Sequence, residues 1–384
     1  MGRKINDSYV LAKTDLSNLT GGETLKVEWD TVNNGNLHWK DVDESTLEYV
    51  APAVWSGDRG VNAGGNGGSN VIQYFTISST GNTIDFGDLT DGRGQCAAAS
   101  NGSRDVIGGG AYLSYTNIIE YITISTTGNA TDFGDLTVAK GGVGVVSDGT
   151  YAVFGGGRAP ADTNVIEYIT ISTTGNATDF GDLTLARRTL NGGASNGTRG
   201  VFGGGKGAAD SNVLDYITIA TTGNAIDFGD LTHSDYGVAG TDNETRGIFG
   251  GGCCYYTNII DYITIDTTSN ATAFGDLTVA RYGVGGSSNS TRGIFSGGWS
   301  GANSDVLDYI TIATTGDATD FGNLSVGRRS TDSSSDGTTS VFGGGYGSGY
   351  ETTIDYVTIS TLGNATDFGD LTVGRQGVAA TSGD

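Results

Sequence analysis

A six-residue segment, DFGDLT or a near copy of it, recurs seven times along this chain of 384 residues. The copies begin at Asp85, Asp132, Asp179, Asp227, Ala273, Asp320 and Asp367. A fixed period in the forties, rich in β-forming residues, predicts a repeat architecture in which each unit packs against its neighbours. Because packing alone can maintain such a repeat, it constrains the fold far more than the function.

The composition is dominated by glycine, with 67 residues out of 384 and only two prolines. The usual glycine share is about 7%, and an excess that follows the repeat indicates tight turns and closely spaced strands rather than disorder. The net charge of −23 favours solubility. Since an anionic chain is repelled by duplexes and anionic lipid surfaces, no nucleic-acid partner is expected.

Three cysteines, Cys96, Cys253 and Cys254, match neither a disulfide framework nor a zinc-ligand spacing. The adjacent pair is expected to be two plain thiols, because neighbouring cysteines are strained as a disulfide. The segment MGRKINDSYV has no apolar core. With no apolar stretch approaching about 18 residues, neither a secretion signal nor membrane insertion is expected.

One unit, residues 185–232, shows how the repeat is expected to fold. LARRTLNGGAS, RGVFGGG, VLDYITIAT and AIDFGDLT read as four strands. The turns SNGT and TTGN supply residues that tolerate positive φ, while KGAADSN forms a variable loop. Four antiparallel strands in about 47 residues are typical of a propeller blade.

The ends of the repeat region predict the number of blades. Residues 56–90 lack the first strand of a unit, and residues 373–384 supply a first strand without the other three. The sequence therefore predicts an all-β protein with a seven-bladed antiparallel β-propeller over residues 56–384. A strand from the C-terminus would close the ring and remove the free sheet edges. Residues 1–55 are expected to form a small N-terminal β attachment segment.

The order of these elements resembles the kelch repeat: a basic residue, a small strand, a turn and an apolar strand that ends in glycines. Residues 278–298, TVARYGVGGSSNSTRGIFSGG, show it clearly. The Tyr and Trp of kelch repeats, a short fixed spacing apart, are absent; Tyr168 precedes Phe180 by twelve residues. The resemblance implies a kelch-like propeller without the standard motif.

The units have nearly identical sequences, of which NVIEYITISTTGNATDFGDLT is the clearest example. In this respect the chain also resembles kelch-like structural proteins of tailed phages of marine bacteria. That resemblance implies a virion component such as a fibre, a spike or a decoration protein. A shared fold does not fix a function, so the virion location and its partners stay expectations here.

The N-terminal segment contains three of the four tryptophans, Trp29, Trp39 and Trp55. LKVEWD and LHWK flank VNNGN and read as a hairpin with an Asn-Gly turn. Since tryptophan is a favoured interface anchor, one interpretation is a docking arm in which Trp29 and Trp39 contact another virion protein. The alternative is a lid packed on its own propeller, and the sequence does not choose between them.

No constellation of catalytic or metal-binding residues stands out. The two histidines, His38 and His233, lie in different regions, and no nucleophile, base or phosphate-binding pattern accompanies them. Repeated carboxylates, such as Asp85, Asp88 and the acid before each repeat tyrosine, could bind a hard cation. Because they recur in nearly every unit, a role in turns and blade packing is favoured, and no cofactor, metal or catalytic residue is predicted.

Two sets of basic residues also recur. The first is Arg93, Lys140, Arg187, Arg281, Arg328 and Arg375, with Asp235 in the remaining unit. The second is Arg59, Arg104, Arg199, Arg246 and Arg292. In an acidic chain, both sets are expected to pair with the repeated carboxylates between strands, although the first set shares a face with the variable loops. Arg281 is therefore also a candidate binding residue.

The loops after the glycine clusters vary while the rest of the unit does not. Several contain aromatic residues: Tyr112, Tyr115, Tyr255, Tyr256, Trp299, Tyr346 and Tyr350. Exposed aromatic rings beside polar groups suit a glycan or a protein partner. The alternative, that these rings merely cover the blades, remains open.

Together these features predict a non-enzymatic virion structural protein that presents a propeller face, with host adsorption as the leading role. Other virion proteins would bind the N-terminal segment, and a host surface glycan or protein would bind the loops. Two alternatives stay open: a carbohydrate-active or oxidative propeller enzyme, and a purely architectural decoration protein without a ligand.

Overall fold

A computed structural model describes residues 3–5, 8–10, 57–188, 192–253 and 256–383, and all its elements there are strands. The first half contains β1 Arg3–Ile5, β2 Ser8–Val10, β3 Arg59–Ala63, β4 Val71–Thr76, β5 Ile84–Asp88, β6 Ala97–Ser100, β7 Arg104–Gly108, β8 Ile118–Thr123, β9 Thr131–Asp135, β10 Gly144–Ser147, β11 Tyr151–Gly155, β12 Arg158–Ala159, β13 Ala161–Asp162, β14 Val165–Thr170, β15 Thr178–Asp182, β16 Gly192–Ser195. The second half contains β17 Arg199–Gly203, β18 Val213–Thr218, β19 Ile226–Asp230, β20 Ala239–Asp242, β21 Arg246–Gly250, β22 Ile259–Thr264, β23 Thr272–Asp276, β24 Gly285–Ser288, β25 Arg292–Ser296, β26 Val306–Thr311, β27 Thr319–Asn323, β28 Asp332–Ser335, β29 Thr339–Gly343, β30 Thr353–Thr358, β31 Thr366–Asp370, β32 Ala379–Gly383.

The chain divides into two compact units, residues 1–54 and 55–384. In the first unit, β1 and β2 form an antiparallel hairpin with Arg3 opposite Val10. The hairpin predicted around VNNGN, with the docking-arm residues Trp29 and Trp39, lies outside the described residues, as does Trp55. The second unit contains the repeats.

Seven four-stranded antiparallel sheets form a seven-bladed β-propeller, which confirms the predicted fold class. Blade 1 has the order β32-β3-β4-β5, and blade 2 is β6 to β9. Blade 3 is β10-β11-β14-β15, and blades 4, 5, 6 and 7 begin at β16, β20, β24 and β28. The first strand of each blade contacts the first strands of both neighbours, so these seven strands form the innermost ring.

The C-terminal strand closes the ring as predicted. β32 pairs with β3 in antiparallel register, from Arg59 opposite Gly383 to Ala63 opposite Ala379. The first blade therefore combines three strands from the start of the repeat region with one from its end. This pairing leaves β3 hydrogen-bonded on both sides, because β4 lies along its other edge.

The first strand of each blade is shorter than the sequence suggests. In the unit read above as LARRTLNGGAS, only Gly192–Ser195 form the strand β16. Residues 185–188 instead belong to the connection between blades 3 and 4. The apolar and basic side chains of that connection serve packing at the end of the blade, which a β-propensity argument does not detect.

Two residues of the repeated segment are required by the hydrophobic core, and one is required by the backbone conformation. In the copy at 179–184, Phe180 and Leu183 are buried, and Phe180 meets the Tyr168 ring edge to face at 5.8 Å. Gly181 has φ 146° where the register shifts next to Ile166. A Cβ there would clash with the carbonyl of Gly223 in the next blade, so only glycine fits.

The remaining residues of the segment link each blade to the next. The Asp182 N–H donates to Asn224 Oδ1 at 3.1 Å, and Thr184 Oγ1 donates to Asp215 Oδ1 at 2.6 Å. Both acceptors lie in blade 4, whereas both donors lie in blade 3. The same backbone link closes the ring between blades 7 and 1, where the Asp370 N–H donates to Asn82 Oδ1 at 3.0 Å. The repeated segment is therefore a structural connector.

The hydrophobic core consists of seven clusters, one at each junction between adjacent blades. In the cluster between blades 3 and 4, Phe202 packs directly over Gly155 of the preceding blade; a methyl group on Gly155 would lie 3.0 Å from the Phe202 ring. The same arrangement recurs at Gly108 with Phe154 and at Gly203 with Phe249. Each blade is thus held by its neighbours.

Among the described residues, no helix is long and apolar enough to cross a bilayer.

Deleting residues 373–384 should cause aggregation and lower the melting temperature, because β3 becomes an exposed edge. Removing only Gly383 and Asp384 is the control, since the pairs from Gly60 opposite Ser382 inward remain. Light scattering and thermal unfolding measure the effect. A soluble 373–384 deletion with an unchanged melting temperature would contradict closure of the ring by β32.

Candidate functional site

The two faces of the propeller differ in how much they vary. One face carries the turns within each blade, which are close variants of SNGT and TTGN; we call it the hairpin face. The other carries the variable loops between the second and third strands, together with the connections between blades; we call it the loop face. Differences between units are therefore concentrated on the loop face.

Backbone hydrogen bonds fix the base of each variable loop. The Gly110 N–H donates to the Lys140 carbonyl at 2.8 Å, and the Gly298 N–H donates to the Arg328 carbonyl at 2.8 Å. The first residue of the loop then pairs with the connection that enters its own blade, as Trp299 does with Tyr282. These bonds place each variable side chain at a defined position above the blade ends.

The loops of blades 5 to 7 bring their aromatic residues into a continuous series. Tyr256 stacks on Tyr282 with ring centres 5.8 Å apart. The guanidinium of Arg329 lies 4.8 Å from the Trp299 ring and 4.7 Å from the Tyr346 ring. A cation between two ring faces is favourable, and more so where water is partly excluded.

The series continues past blade 7. Tyr346 meets Tyr350 edge to face at 5.8 Å, and Tyr350 reaches the glycine-rich loop of blade 1, where a methyl group on Gly67 would lie 3.6 Å from its ring. Tyr112 of blade 2 lies against Gly68 of the same loop. We call Tyr256, Tyr282, Trp299, Tyr346, Tyr350 and Tyr112 the aromatic arc.

Most of the predicted aromatic residues thus lie on the loop face. Tyr112, Tyr256 and Tyr350 are 57%, 42% and 46% exposed, so their rings are accessible to a partner. Tyr115 pairs with Ala111 at the base of its loop and is half-buried. Tyr255 lies outside the described residues, as does Cys254.

The sequence did not single out Tyr282 or Arg329 as part of this face. Each follows a basic residue of the first set, at a position occupied by Gly94 and Gly141 in two blades and by Arg188, Tyr236 and Gln376 in the others. A large side chain at a position that accepts glycine elsewhere was the available signal. Its importance depends on contact with loops that are distant along the chain, which spacing does not show.

Arg281 differs from the aromatic candidates because its side chain is fully buried. Its Nη2 lies 2.9 Å from Asp308 Oδ2, and it also donates to the Phe295 carbonyl at 3.2 Å. Burial lowers the pKa of its guanidinium, and the Asp308 charge opposes that shift. The prediction that Arg281 is a surface binding residue is therefore wrong, because its side chain is an internal ion-pair partner.

Buried pairing extends through most of the first basic set, as predicted. The pairs are Arg93–Glu120 at 2.7 Å, Lys140–Glu167 at 2.7 Å, Arg187–Asp215 at 2.9 Å, Arg281–Asp308 at 2.9 Å and Arg328–Asp355 at 2.7 Å. Blade 1 has Gln73 in place of the acid, and there Arg375 donates to the carbonyls of Gly64 at 2.8 Å and Val71 at 2.6 Å. These acids and bases are structural.

The second basic set does not pair with carboxylates, contrary to the prediction. The Arg104 guanidinium lies 4.2 Å from the Tyr121 ring and donates to the Ile171 carbonyl of the next blade at 3.0 Å. Arg199 does the same with Tyr216 and Ile265. A guanidinium has several donors in one plane, so it can stack on a ring and bond a carbonyl together.

One junction breaks the pattern of buried cations. Between blades 4 and 5, Asp235 occupies the position of the basic residue and faces Asp261, the acid of blade 5. His233 lies 3.7 Å from each carboxylate. Burial raises the pKa of Asp235 to about 7 and lowers the pKa of His233. Two buried acids therefore share a single titratable base.

The described residues contain no group of three or more His, Cys, Asp or Glu side chains arranged to hold a metal ion. On the hairpin face, a pocket of about 300 Å³ lies at Tyr309, Thr314 and Asp317. It is lined in part by residues of a turn that recurs in every blade, so sequence variation does not mark it.

No protein-family model matches this chain, and a search of curated proteins found no significant match.

Replacing Arg281 with Ala should lower the free energy of unfolding by about 3–5 kcal/mol, because the buried Asp308 charge loses its partner. The double variant Arg281→Ala, Asp308→Asn should recover part of that loss. Denaturant unfolding measures both. Full stability of the single variant would contradict a buried ion pair.

Replacing Asp235 with Asn should stabilise the protein at pH 8 by on the order of 1 kcal/mol and change little near pH 4. The folded-state pKa of about 7 exceeds the ordinary value of 3.8, so the folded form retains a proton that the unfolded form has lost between these values. The Asp235 contribution to stability therefore falls as the pH rises through that window.

Thermal unfolding of both proteins from pH 4 to pH 8 tests this. Asp105 and Asp332, whose pKa values burial raises to about 7, are present in both proteins, so the difference reports Asp235 and its neighbours. Those neighbours are His233, Asp261 and Asp210. A difference in melting temperature that does not vary with pH would contradict the prediction.

Proposed function

We propose that this chain is a non-enzymatic recognition protein of a phage virion, a fibre, spike or decoration component that binds a host surface through the loop face of its propeller. One observation carries the proposal. The variable loops and connections of several blades bring their aromatic side chains into one arc, whereas the hairpin face repeats the same turns.

The chemistry of the aromatic arc suits recognition. Tyrosine and tryptophan offer a large apolar area with few rotatable bonds, so ordering them on binding costs little entropy. Here the rings are also held in place by one another, by Arg329 and by the backbone pairing at the base of each loop. A preorganised surface loses less freedom on binding than a flexible one.

The charge of the chain narrows the kind of partner. With a net charge of −23, the protein repels nucleic acid and acidic surfaces at long range. In blades 3 and 4 the loops carry ion pairs, Arg188–Asp162 at 2.6 Å and Lys206–Asp210 at 2.5 Å. These two cations already have acidic partners, and Arg329 is held between two rings, so a neutral or basic partner fits this face better than an anion.

The virion location is proposed from the near-identical repeats, which resemble phage structural proteins, and from the segment of residues 1–55. In this proposal Trp29 and Trp39 dock on another virion protein while the propeller faces outward. The docking and recognition roles then reside in different parts of the chain, so substitutions can separate them.

The triple variant Tyr256→Ala, Trp299→Ala, Tyr350→Ala should bind host cells at least tenfold more weakly, because partly exposed aromatic anchors supply binding energy. Its incorporation into particles should be unchanged. The matched control is Ile84, Ile226 and Leu362 to Ala on the hairpin face, which are 56%, 57% and 51% exposed. Flow cytometry of labelled protein and immunoblots of purified particles give the two readouts.

The same experiment separates docking from recognition. Trp29→Ala with Trp39→Ala should remove the protein from particles and leave the binding of isolated protein to cells intact. Equal loss of cell binding in the loop-face and hairpin-face variants would contradict the recognition role. Normal incorporation of the tryptophan variant would contradict the docking role.

A further inference from the structure

Blade 1 has a loop unlike the others, made of Asn66, Gly67, Gly68 and Ser69. Gly67 and Gly68 have φ 92° and 76°, a region that favours glycine. A methyl group on Gly68 would lie 2.6 Å from the Tyr112 ring and clash with it. The loop is therefore a floor of bare backbone, with the half-exposed rings of Tyr112 and Tyr350 beside it.

Three residues with amide side chains lie next to this floor. The Asn66 N–H donates to the Gln376 carbonyl at 2.9 Å, and the Gln95 N–H donates to the Gly377 carbonyl at 3.3 Å. Asn66 Oδ1 adjoins Gly94, the residue before Gln95. Three segments that are far apart in the sequence thus bring Asn66, Gln95 and Gln376 together.

These amides retain their hydrogen-bonding capacity. Within the described part of the chain, no side-chain hydrogen bond holds Asn66, Gln95 or Gln376, and Gln376 Oε1 is buried without a partner. An unsatisfied buried amide oxygen is unfavourable. A ligand hydroxyl that donates to a reoriented Gln376 amide would remove that cost.

Gln95 adopts a backbone conformation that its side chain disfavours. Its φ is 56°; the same position is Gly142, Gly237, Gly283 or Gly377 in four other blades, with φ from 60° to 68°, and Ser330 in blade 7, with φ 51°. A side chain in this region is strained, and such strain tends to persist at functional sites. Gln95 is also exposed, so packing does not account for the residue.

The charges around this floor disfavour an anionic ligand. Arg93 and Arg375 of the neighbouring connections are buried and face the blade interior. The acidic residues Asp91 and Glu351 lie beside the site, since Gly92 adjoins the Gly68 carbonyl and Glu351 follows Tyr350. The surroundings are therefore neutral to acidic.

We propose that Tyr112, Tyr350, Asn66, Gln95 and Gln376 form a subsite on blade 1 that binds a neutral pyranose unit of a glycan. The apolar face of the sugar packs against a tyrosine ring, and its hydroxyls bond the amides and the glycine backbone. This inference rests on the proposed function and names its ligand class.

The experiment uses the full chain, a panel of neutral oligosaccharides built from glucose, galactose and N-acetylglucosamine, and sialyllactose as the anionic probe. Isothermal titration measures affinity. We expect binding to at least one neutral sugar and none to sialyllactose. Tyr112→Ala and Tyr350→Ala should each weaken binding at least tenfold, whereas Leu113→Ala, the control at a neighbouring exposed side chain, should not.

Gln95→Gly is the decisive variant, because it removes the strain and the amide together. It should raise the melting temperature and weaken sugar binding at least threefold. A variant that merely lost its fold would show a lower melting temperature instead. Unchanged affinity of Gln95→Gly, a preference for sialyllactose, or no binding to any sugar of the panel would overturn the subsite.

The subsite and the proposed function fail in different ways. If the triple variant of Tyr256, Trp299 and Tyr350 loses cell binding while the sugar panel shows none, the recognition face stands and the subsite falls. If cell binding survives every substitution on the loop face, both fall. A Tyr256→Ala, Trp299→Ala variant keeps Tyr350; loss of cell binding with intact sugar binding in that variant would support the subsite and assign a protein partner to the rest of the arc.

Discussion

The contact between a phenylalanine of one blade and a glycine of the preceding blade is the constraint on which this propeller depends. Phe202 over Gly155 and Phe249 over Gly203 leave no room for a Cβ without a shift of the ring. Where the glycine position holds Ala63, the position of the phenylalanine holds the smaller Ile107. Where the ring is absent, at Asn62, the facing residue is still Gly343. One other junction has Ser296 at the glycine position, so each blade presents a small residue, Gly, Ala or Ser, to the next blade.

This constraint explains why the fold could be predicted and some of its details could not. The number of blades and the closure of the ring by β32 were predicted from the hydrophobic strands, the turn glycines and the unit that is split between residues 56–90 and 373–384. The role of the second basic set was misread because pairing with carboxylates was inferred from charge alone. Arg104 instead uses the Tyr121 ring and a carbonyl of the next blade, contacts that depend on blade geometry.

The candidate site could be predicted only in part, for a related reason. Variation among otherwise uniform loops marked Tyr112, Tyr256, Trp299 and Tyr350, since packing does not fix those positions. The sequence does not show whether the side chain at a loop-face position is buried or exposed. Arg281 was therefore grouped with the aromatic residues although it is buried. Tyr282 stacks on Tyr256, and the Gln95 N–H donates to the Gly377 carbonyl. Both contacts join segments that are distant along the chain, so the repeat period does not reveal them. Variation between units was the better guide, because blade packing does not fix a position whose residue changes from blade to blade.

The pairing of β3 with strands on both sides also has a mechanical consequence. The chain passes from the N-terminal unit into the propeller at residue 57, just before β3, and β3 lies between β32 and β4. A pull applied through that segment acts along a strand whose hydrogen bonds run across the direction of force on both edges. Those bonds must shear together rather than open one at a time, as they would at a frayed edge. The junction that closes the ring thereby also supports the strand on which tension from the preceding segment acts.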